Sequence, residues 1–571
     1  GFETYVAPAM GNSLTETNCE SCGMCISTCP TGAISENVPF KPGPVEMESF
    51  ETINNYGSSG EKITVHHKNN FVMRVSGTKG LVNKDGNIDR FAKFGYHYLN
   101  DNSRITKPLL KVKKKFKEIS FEEAYDIIAE KIKSVKADEN SFFCGARLSN
   151  EEIYLIQKLA RAGAKTNNVG SFHYLFRGKG YLRNSLANVP FEQIGDAGKV
   201  YFVGSDFNES NNAVVSYMVQ KAKSSEKLSI DLVSTNQNSP MINKVDDTLF
   251  IKSYYGFVKA VNHFLLSNNL QNQMFIDDNC HNFDDYKKQI IAEDFKELVK
   301  QSGLSAKAIE TFAKGYNNEM NAILIFSENE ISANTSLELR NLALITGKLG
   351  KTANGLISLK ENCNSQGLID MGAFEHYGVG TQCISNEDYN SKLKEKWGEE
   401  NIPEIGKSSQ TELLEKGKIK NMFIFGEDPI GCAMDKNQIE KLFAKTKFVL
   451  VQDSFMTETA QIADLILPAS LPSESSGSFT NTQKVIQQFE SGLEPKVEKL
   501  NHQQFVDLLL KFNSNGISSF EDIMKEAISL LPTETEKEKE KFEFKSTDSD
   551  NMNKAFNYGC DGLTKYFYNN F

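Results

Sequence analysis

Four cysteines within eleven residues constrain this chain more than any other feature of its sequence. They follow the spacing C-x2-C-x2-C-x3-C-P, at Cys19, Cys22, Cys25 and Cys29, with Pro30 after the last. Thiolates spaced in this way can wrap one face of a cubane iron–sulfur cluster, and Gly23 lets the backbone pass close to the sulfides. Zinc is the alternative metal, but zinc knuckles pair two separated C-x2-C units. The spacing therefore favours a [4Fe-4S] cluster and a protein that carries electrons.

The number of ligands leaves two arrangements open. Cys19, Cys22 and Cys25 need a fourth thiolate, whereas a cysteine followed by proline, as Cys29 is, serves the second cluster in two-cluster ferredoxins. Either Cys29 completes a single cluster, or further ligands lie upstream of Gly1. Because the chain starts abruptly and without Met, we expect the second arrangement.

Composition indicates the class of protein and its compartment. The chain has 571 residues, too many for one hydrophobic core, and its net charge of −10 argues against nucleic acid as a partner. No apolar run reaches the roughly 18 to 20 residues that cross a bilayer, and the first residues lack a basic region followed by an apolar core, so we expect neither membrane insertion nor secretion. We expect a protein of the cytoplasm or an organelle matrix that meets a membrane only through partners. The remaining cysteines are scattered and are interpreted as structural: Cys144, Cys280, Cys363, Cys383, Cys432 and Cys560.

Short apolar runs alternate with helical segments through most of the chain. The hairpin pattern ITVHHKNNFVMRV and a capping box at Ser120 and Glu123 come first. Strands are then predicted at 200–203, 228–233, 322–326, 422–425, 448–451 and 465–467. This rhythm predicts an α/β fold with mostly parallel sheets covered by helices, whose strand ends form crevices suited to nucleotide-like ligands.

Six blocks of sequence together resemble one family. They are GFETYVAPAMGNSLTETNCESCGMCISTCPTGAIS at 1–35, RITKPLLKVKKKFKEISFEEAYDIIAEKI at 104–132, NEEIYLIQKLARAGAKTNNVG at 150–170, NLALITGKLGKTANGLISLKENCNSQGLIDMGA at 341–373, FGEDPIGCAMD at 425–435 and VQDSFMTETAQIADLILPASLPSESSGSFTNTQKVIQ at 451–487. Through these blocks the chain resembles the molybdopterin oxidoreductase superfamily, in particular NAD-linked formate dehydrogenases and the large iron–sulfur subunit of complex I. Several blocks in order are far more specific than any one motif.

The resemblance implies a ferredoxin-like iron–sulfur segment followed by αβα domains of the molybdopterin oxidoreductase type. The implied units are an iron–sulfur segment at 1–45, a small β-rich domain at 56–100, a first αβα domain from 101–171 and 366–495, a second at 172–365, and a charged tail at 496–571. If a pterin is retained, the resemblance implies that its nucleotide contacts are Gln366, Glu427, Asp428, Thr457, Glu458, Thr459 and Asp464.

The sequence departs from the family at the metal site. Active relatives place a selenocysteine or cysteine, followed by His, as the molybdenum or tungsten ligand, where this chain has Phe176 and Arg177. Phenylalanine offers no soft ligand atom. His173 lies nearby in the sequence and is interpreted as a structural residue.

Other features of active relatives are also missing. Their second cluster begins in the hairpin and ends near a Lys-Gly-Arg stretch, but here the hairpin has His66 and His67, which should point to opposite faces, and residues 82–99 contain no cysteine. An Asp-Pro-Arg near the cofactor nucleotide is replaced by Asp231-Leu232-Val233. The stretch after Pro495 is too short and too charged for the C-terminal barrel that encloses the cofactor.

These departures predict a scaffold that keeps its cluster but not its molybdenum chemistry, so no catalytic residue is assigned and molybdopterin is not expected. We expect an electron-transfer subunit of a flavin-containing NAD(P)H-linked oxidoreductase, complex I-like or electron-bifurcating. Its expected partners are flavin- and NAD(P)H-binding subunits, other iron–sulfur subunits and a ferredoxin. The alternatives are a divergent molybdenum or tungsten formate dehydrogenase, and a purely structural subunit, which the redox-competent thiols argue against.

Overall fold

The structure is a computed structural model that describes residues 11, 19, 22–36, 46–177, 181, 189–205, 207, 213–225, 228–514, 517, 519–532, 541–550 and 554–570. Its strands, in chain order, are β1 (Glu48–Ile53), β2 (Lys62–Lys68), β3 (Phe71–Gly77), β4 (Leu109–Val112), β5 (Lys115–Glu118), β6 (Asn140–Cys144), β7 (Val169–Gly170), β8 (Lys199–Val203), β9 (Ser229–Ser234), β10 (Asp247–Phe250), β11 (Cys280–His281), β12 (Ala322–Ser327), β13 (Gly355–Leu359), β14 (Asn421–Phe425), β15 (Phe448–Asp453), β16 (Leu465–Pro468), β17 (Gly477–Thr480), β18 (Ile486–Phe489) and β19 (Phe542–Glu543). The six strands predicted from apolar runs are all confirmed within a residue or two.

Helices connect and cover these strands. They are Met24–Thr28, Arg90–Phe94, Phe121–Lys133, Asn150–Lys158, Ala213–Ser225, Tyr254–Ser267, Gln273–Asn279, Phe283–Ala292, Phe295–Ser302, Ala306–Asn318, Ala333–Ile345, Ser365–Asp370, Glu387–Trp397, Gln410–Glu415, Lys436–Phe443, Glu458–Ile462, Asn501–Leu510, Phe520–Ser529 and Gly562–Asn570. The predicted capping box is present, with Ser120 and Glu123 each bonding the other's backbone amide. Among the described residues, every helix is too short or too polar to cross a membrane.

The first large sheet is assembled from two distant stretches of chain. Its strand order is β5-β4-β16-β15-β14-β6-β7, and the strands from β16 to β7 are parallel. Successive residues of β14, such as Phe423 and Ile424, point to opposite faces of the sheet and enter two different hydrophobic clusters. The sheet therefore forms the middle of an αβα sandwich, with strands from 109–170 and 421–468.

The second large sheet is continuous in sequence and wholly parallel. Its order is β10-β9-β8-β12-β13. Successive residues of β8 also point to opposite faces, since Tyr201 packs on one face of the sheet and Phe202 on the other. The predicted fold class, α/β with αβα units and mostly parallel sheets, is confirmed.

The small unit before the first large sheet is an antiparallel three-stranded sheet in the order β1-β2-β3. The predicted hairpin is confirmed, with Asn69 and Asn70 in left-handed conformations at its turn. The sheet extends further towards the N-terminus than the predicted boundary at residue 56, because β1 pairs with residues 62–67 of β2.

The C-terminal stretch differs from the predicted charged tail at 496–571. Helices Asn501–Leu510 and Phe520–Ser529 bury apolar residues in the core of the first αβα unit, among them Phe505, Leu509 and Ile523. Their apolar faces have helical spacing, which outweighs the charged residues around them. Of the stretch from 533 to 553, only residues 541–550 lie within the described part of the chain.

Candidate functional site

The cysteine run lies on the short helix Met24–Thr28 and its flanks. Gly23 precedes the helix with a φ of 71°, and Cys29 ends it. Cys19 and Cys25 are exposed, whereas Cys22 and Cys29 are partly buried. In the part of the chain that the structure describes, no three His, Cys, Asp or Glu side chains converge on a point that could hold a metal ion.

The chemistry of the run nevertheless fits an iron–sulfur cluster. The amide of Ile34 and the hydroxyl of Thr31, 3.7 Å from the Cys29 sulfur, lower the pKa of Cys29 to about 7. The thiolate, not the thiol, is the ligand form of cysteine. Four exposed or partly exposed thiols, one of them already acidified, are a suitable donor set for a cubane.

The run rests on helix Arg90–Phe94 of the small unit. A Cβ added at Gly23 would lie 2.8 Å from Lys93 Cγ and 2.9 Å from Phe94 Cζ. Glycine is required here for two reasons, since its φ is left-handed and no side chain would fit. The backbone between Cys22 and Cys25 is therefore held directly against the small unit.

A buried ion network occupies the position where the sequence analysis expects the metal ligand. Arg177 Nη2 lies 3.1 Å from Glu361 Oε2, and Arg177 Nη1 donates to the backbone carbonyl of Glu328 at 3.3 Å. Arg177 is 4% exposed, so its charge faces protein and not solvent. Phe176 packs against the apolar cluster on one face of the first sheet. Neither residue presents an atom that could ligate molybdenum or tungsten.

His173 belongs to the same network as a neutral group. Its Nε2 lies 3.5 Å from Glu361 Oε2, but burial and the neighbouring Arg177 lower the pKa of His173 to about 3. The contact is therefore not an ion pair at neutral pH. The pKa of Glu361 falls to about 2 despite its burial, because the positive charges of Lys554 and Arg177 lie beside it. The prediction that His173 is structural remains a prediction, and its buried surroundings support it.

A second buried pair adjoins the first. Glu328 and Lys360 are both fully buried and form an ion pair, and Ser358 Oγ donates to Glu328 Oε1 at 3.2 Å. Tyr174 OH donates to the other carboxylate oxygen at 3.0 Å. Buried charges persist only when they are paired and hydrogen-bonded, as these are. These four side chains thus bind one another.

The predicted nucleotide contacts Glu427, Asp428 and Thr459 come together at the carboxyl ends of β14 and β15. Glu427 accepts hydrogen bonds from Ser171 Oγ at 2.7 Å and from the amides of Phe172 and His173 at 3.0 and 3.2 Å. Burial raises the pKa of Glu427 to about 8. Asp428 Oδ1 accepts from Thr459 Oγ1 at 2.6 Å. Each of these groups already has partners within the chain.

The other predicted contacts are more dispersed. Thr457 caps helix Glu458–Ile462, and Glu458 pairs with Lys436 and Lys565. Gln366 donates to Asp370 at 2.9 Å on its own helix. Asp464 lies at the amino end of β16, where it accepts from the amide of Val449 at 2.9 Å. Because β15 and β16 are parallel, Asp464 is at the opposite edge of the sheet from Asp428 and cannot share a ligand with it.

Residues 554–570, here called the C-terminal strap, lie across the same carboxyl edge. The Cys560 carbonyl accepts from the amide of Asp428 at 3.0 Å, and Lys565 Nζ donates to the Gly431 carbonyl and to Glu458, both at 2.8 Å. Ligands of open α/β sheets bind outside the carboxyl ends of the strands. In this chain its own strap lies across part of that crevice.

Two residues missed by the sequence analysis anchor the strap. Arg147 follows β6, and its guanidinium pairs with Asp561 and donates to Thr564. It also lies 4.7 Å from the Tyr56 ring centroid. The sequence did contain a local signal for Arg147. An apolar run ends at Cys144 and is followed by Gly145 and, two residues later, by a charged side chain, which is the pattern seen at the ends of the other predicted strands. Asp561 offered none, since its partner is far away in the sequence.

The hairpin, where relatives begin a second cluster, holds buried polar residues instead. His66 is half-buried and His67 buried, so the two histidines face opposite sides as expected. Asn54 Nδ2 donates to Glu61 Oε2 at 3.0 Å. Glu61 and Asp89 are fully buried, and within the described residues Glu61 Oε1 and Asp89 Oδ2 have no hydrogen-bond partner. None of these groups is a thiolate, the usual ligand of a [4Fe-4S] cluster.

Comparisons with known proteins agree with this architecture. The family model "Molybdopterin oxidoreductase" matches residues 104–508, and the model "4Fe-4S binding domain" matches residues 14–35. The F420-dependent formate dehydrogenase subunit alpha of Methanocaldococcus jannaschii is 29% identical over 516 residues, covering 86% of this chain and 74% of the relative. The F420-dependent formate dehydrogenase 2 subunit alpha of Methanococcus maripaludis is 27% identical over 508 residues, with coverage of 85% and 74%.

The fold also occurs among solved structures. The acetylene hydratase of Pelobacter acetylenicus superposes with a TM-score of 0.55 at 16% identity, covering 72% of this chain and 62% of that one. At this identity the likeness concerns the fold alone.

Proposed function

The chain belongs to the molybdopterin oxidoreductase family, and we propose that within it the chain is an iron–sulfur electron-transfer subunit that has lost catalysis at molybdenum. The observation that carries this proposal is the ion network at Arg177. A cationic side chain, already bonded to Glu361, takes the place of the soft atom that would bind the metal. Replacing Arg177 would leave Glu361 buried without its nearest cationic hydrogen-bond donor.

The C-terminal strap supports the same proposal. A nucleotide entering the crevice would have to displace Cys560 from Asp428 and Lys565 from Glu458. It would also separate the buried pair of Arg147 and Asp561. Breaking such a pair costs about 3–5 kcal/mol, which any ligand would have to recover.

The electron-carrying site would be the cysteine run. Cys19, Cys22, Cys25 and Cys29 would hold the cluster, which supplies reversible one-electron chemistry. If an upstream segment contributes further ligands, two clusters are held. The lowered pKa of Cys29 means that little free energy is needed to deprotonate it for metal binding.

The proposed setting is a flavin-containing NAD(P)H-linked assembly, complex I-like or electron-bifurcating. Flavin- and NAD(P)H-binding subunits, other iron–sulfur subunits and a ferredoxin are the proposed partners, in the cytoplasm or an organelle matrix. The exposed thiols Cys19 and Cys25 support a partner at this end of the molecule, since electrons must enter or leave the cluster over a short distance.

A divergent molybdenum or tungsten formate dehydrogenase is the second candidate. It is favoured by the names of the two relatives, which cover most of this chain. On this reading Glu427, Asp428 and Thr459 would exchange their internal partners for a pterin nucleotide, and the strap would have to open.

Low-temperature electron paramagnetic resonance of the dithionite-reduced full chain tests the proposed cluster. Cys22→Ser should remove or replace one cubane signal. The matched control is Cys383→Ser, because Cys383 is an exposed cysteine outside the run, and its spectrum should equal that of the unmodified chain. An unaltered spectrum in Cys22→Ser would exclude the run as the cluster site.

A further inference from the structure

Lys93 connects the cysteine run to the small sheet. It is 4% exposed, although lysine is rarely buried. Its ammonium donates to the Val75 carbonyl of β3 at 2.8 Å and to Ser27 Oγ of helix Met24–Thr28 at 3.0 Å. A single buried cation thus joins two segments that are distant in sequence.

The stem of Lys93 follows the backbone of the run. A Cβ at Gly23 would lie 2.8 Å from Lys93 Cγ and 3.2 Å from Lys93 Cε. The side chain therefore passes beneath the backbone between Cys22 and Cys25. Its ammonium then reaches Ser27, midway between Cys25 and Cys29.

The charge of Lys93 lies beside the cysteine run, because its ammonium bonds Ser27 Oγ between Cys25 and Cys29 and its stem passes Gly23 between Cys22 and Cys25. Arg74, which also acts on Lys93, is exposed on β3 and is screened by water. Lys93 is thus a cation held in a low-dielectric position beside two of the proposed ligands.

We propose that Lys93 is a positioning residue for the cluster: it seats the cysteine run on the small sheet, and its charge raises the cluster's reduction potential. The inference rests on the proposed function. Reduction adds one negative charge to the cluster, and a nearby buried cation stabilises the reduced form more than the oxidised form. No bond to Lys93 forms or breaks in this role.

Potentiometric titration of the full chain, followed by electron paramagnetic resonance with iron quantified, tests the role of Lys93. Lys93→Met removes the charge and keeps the aliphatic stem. At the midpoint potential of the unmodified chain, we expect its ratio of oxidised to reduced cluster to rise about tenfold, which is a downward shift of about 59 mV for one electron. Lys93→Arg keeps the charge and should remain near the original midpoint.

Lys84→Met is the matched control, because Lys84 is an exposed lysine of the small unit whose loss changes the net charge equally. Its midpoint should not move. If Lys93→Met fails to retain its cluster, the midpoint potential is measured on Lys93→Gln, which has no charge but can still donate to Val75 and Ser27. A midpoint that stays unchanged in the iron-containing variant overturns the role of Lys93 while leaving the cluster intact. Absence of iron from the unmodified chain would instead refute the proposed function.

Discussion

Arg177 Nη2 lies 3.1 Å from Glu361 Oε2, and both side chains are buried. The sequence resemblance predicts the metal ligand of active relatives at this position of the chain. Arg177→Met should lower the free energy of unfolding by about 3–5 kcal/mol, because it removes the cation that is hydrogen-bonded to a buried carboxylate. The double variant Arg177→Met with Glu361→Gln should recover most of that loss, as measured by urea denaturation.

The control for this pair is an exposed one. Lys314→Met breaks the surface pair with Glu310 and should change the free energy of unfolding by less than about 0.5 kcal/mol. Equal effects of Arg177→Met and Lys314→Met would show that the network at Arg177 contributes little.

The strap predicts a specific local opening. Asp561→Asn should leave Arg147 buried without its counter-charge and loosen residues 554–570. A local cost of about 3 kcal/mol corresponds to roughly 100-fold faster amide hydrogen exchange in the strap, measured by mass spectrometry. Asp522→Asn, on the exposed face of helix Phe520–Ser529, should leave the exchange of the strap unaltered. Unchanged exchange in Asp561→Asn would mean that the pair with Arg147 does not hold the strap.

The buried carboxyls of the small unit predict a pH dependence of stability. Burial raises the pKa of Glu61, and burial together with Glu61 raises the pKa of Asp89. The folded state therefore holds these protons more tightly than the unfolded state. The two carboxyls should therefore contribute most to stability below their unfolded pKa values of about 4. Their contribution should be lost as pH rises through the raised folded pKa values.

Glu61→Gln isolates the contribution of this carboxyl. It should increase the free energy of unfolding at pH 8 by about 1–2 kcal/mol and flatten the dependence on pH, because an amide is not penalised for charge. Urea midpoints between pH 5 and 9 measure both effects. A variant whose profile runs parallel to that of the unmodified chain would contradict this assignment.

Two glycines of the cysteine run separate backbone strain from packing. Gly23 and Gly32 have left-handed φ values of 71° and 67°, but only Gly23 has neighbours where a Cβ would lie. Gly32→Ala should cost about 1 kcal/mol from the backbone alone. Gly23→Ala should in addition lift the run from Lys93 and lower the iron content of purified chain. Equal iron in the two variants would show that the contact with Lys93 is not needed for cluster assembly.

Local patterns in the sequence predicted most of the sheet structure. Runs such as Ala322–Ser327 and Phe448–Asp453 are nearly continuous in apolar residues. This pattern is typical of strands in a parallel sheet that helices cover on both faces. The capping box at Ser120 is equally local. The cysteine spacing identified the proposed ligands for the same reason, since cluster ligands lie close together in sequence.

The buried ion pairs around the candidate site could not be predicted in this way. The pairing of Arg177 with Glu361 and of Arg147 with Asp561 joins residues far apart in the chain, and no periodicity marks either partner. Charge density around residue 540 suggested a tail, whereas residues beyond it return to cover the first sheet. The resemblance groups Asp464 with Asp428, but Asp464 lies at the amino end of β16 and therefore at the opposite edge of the sheet from Asp428.

Quantification of iron, molybdenum, tungsten and pterin per copy of this chain in the purified intact complex tests the central claim most directly. The account predicts iron at the stoichiometry of one or two [4Fe-4S] clusters, without stoichiometric molybdenum, tungsten or pterin. Stoichiometric molybdenum or tungsten together with pterin would contradict it and would make this chain a catalytic subunit.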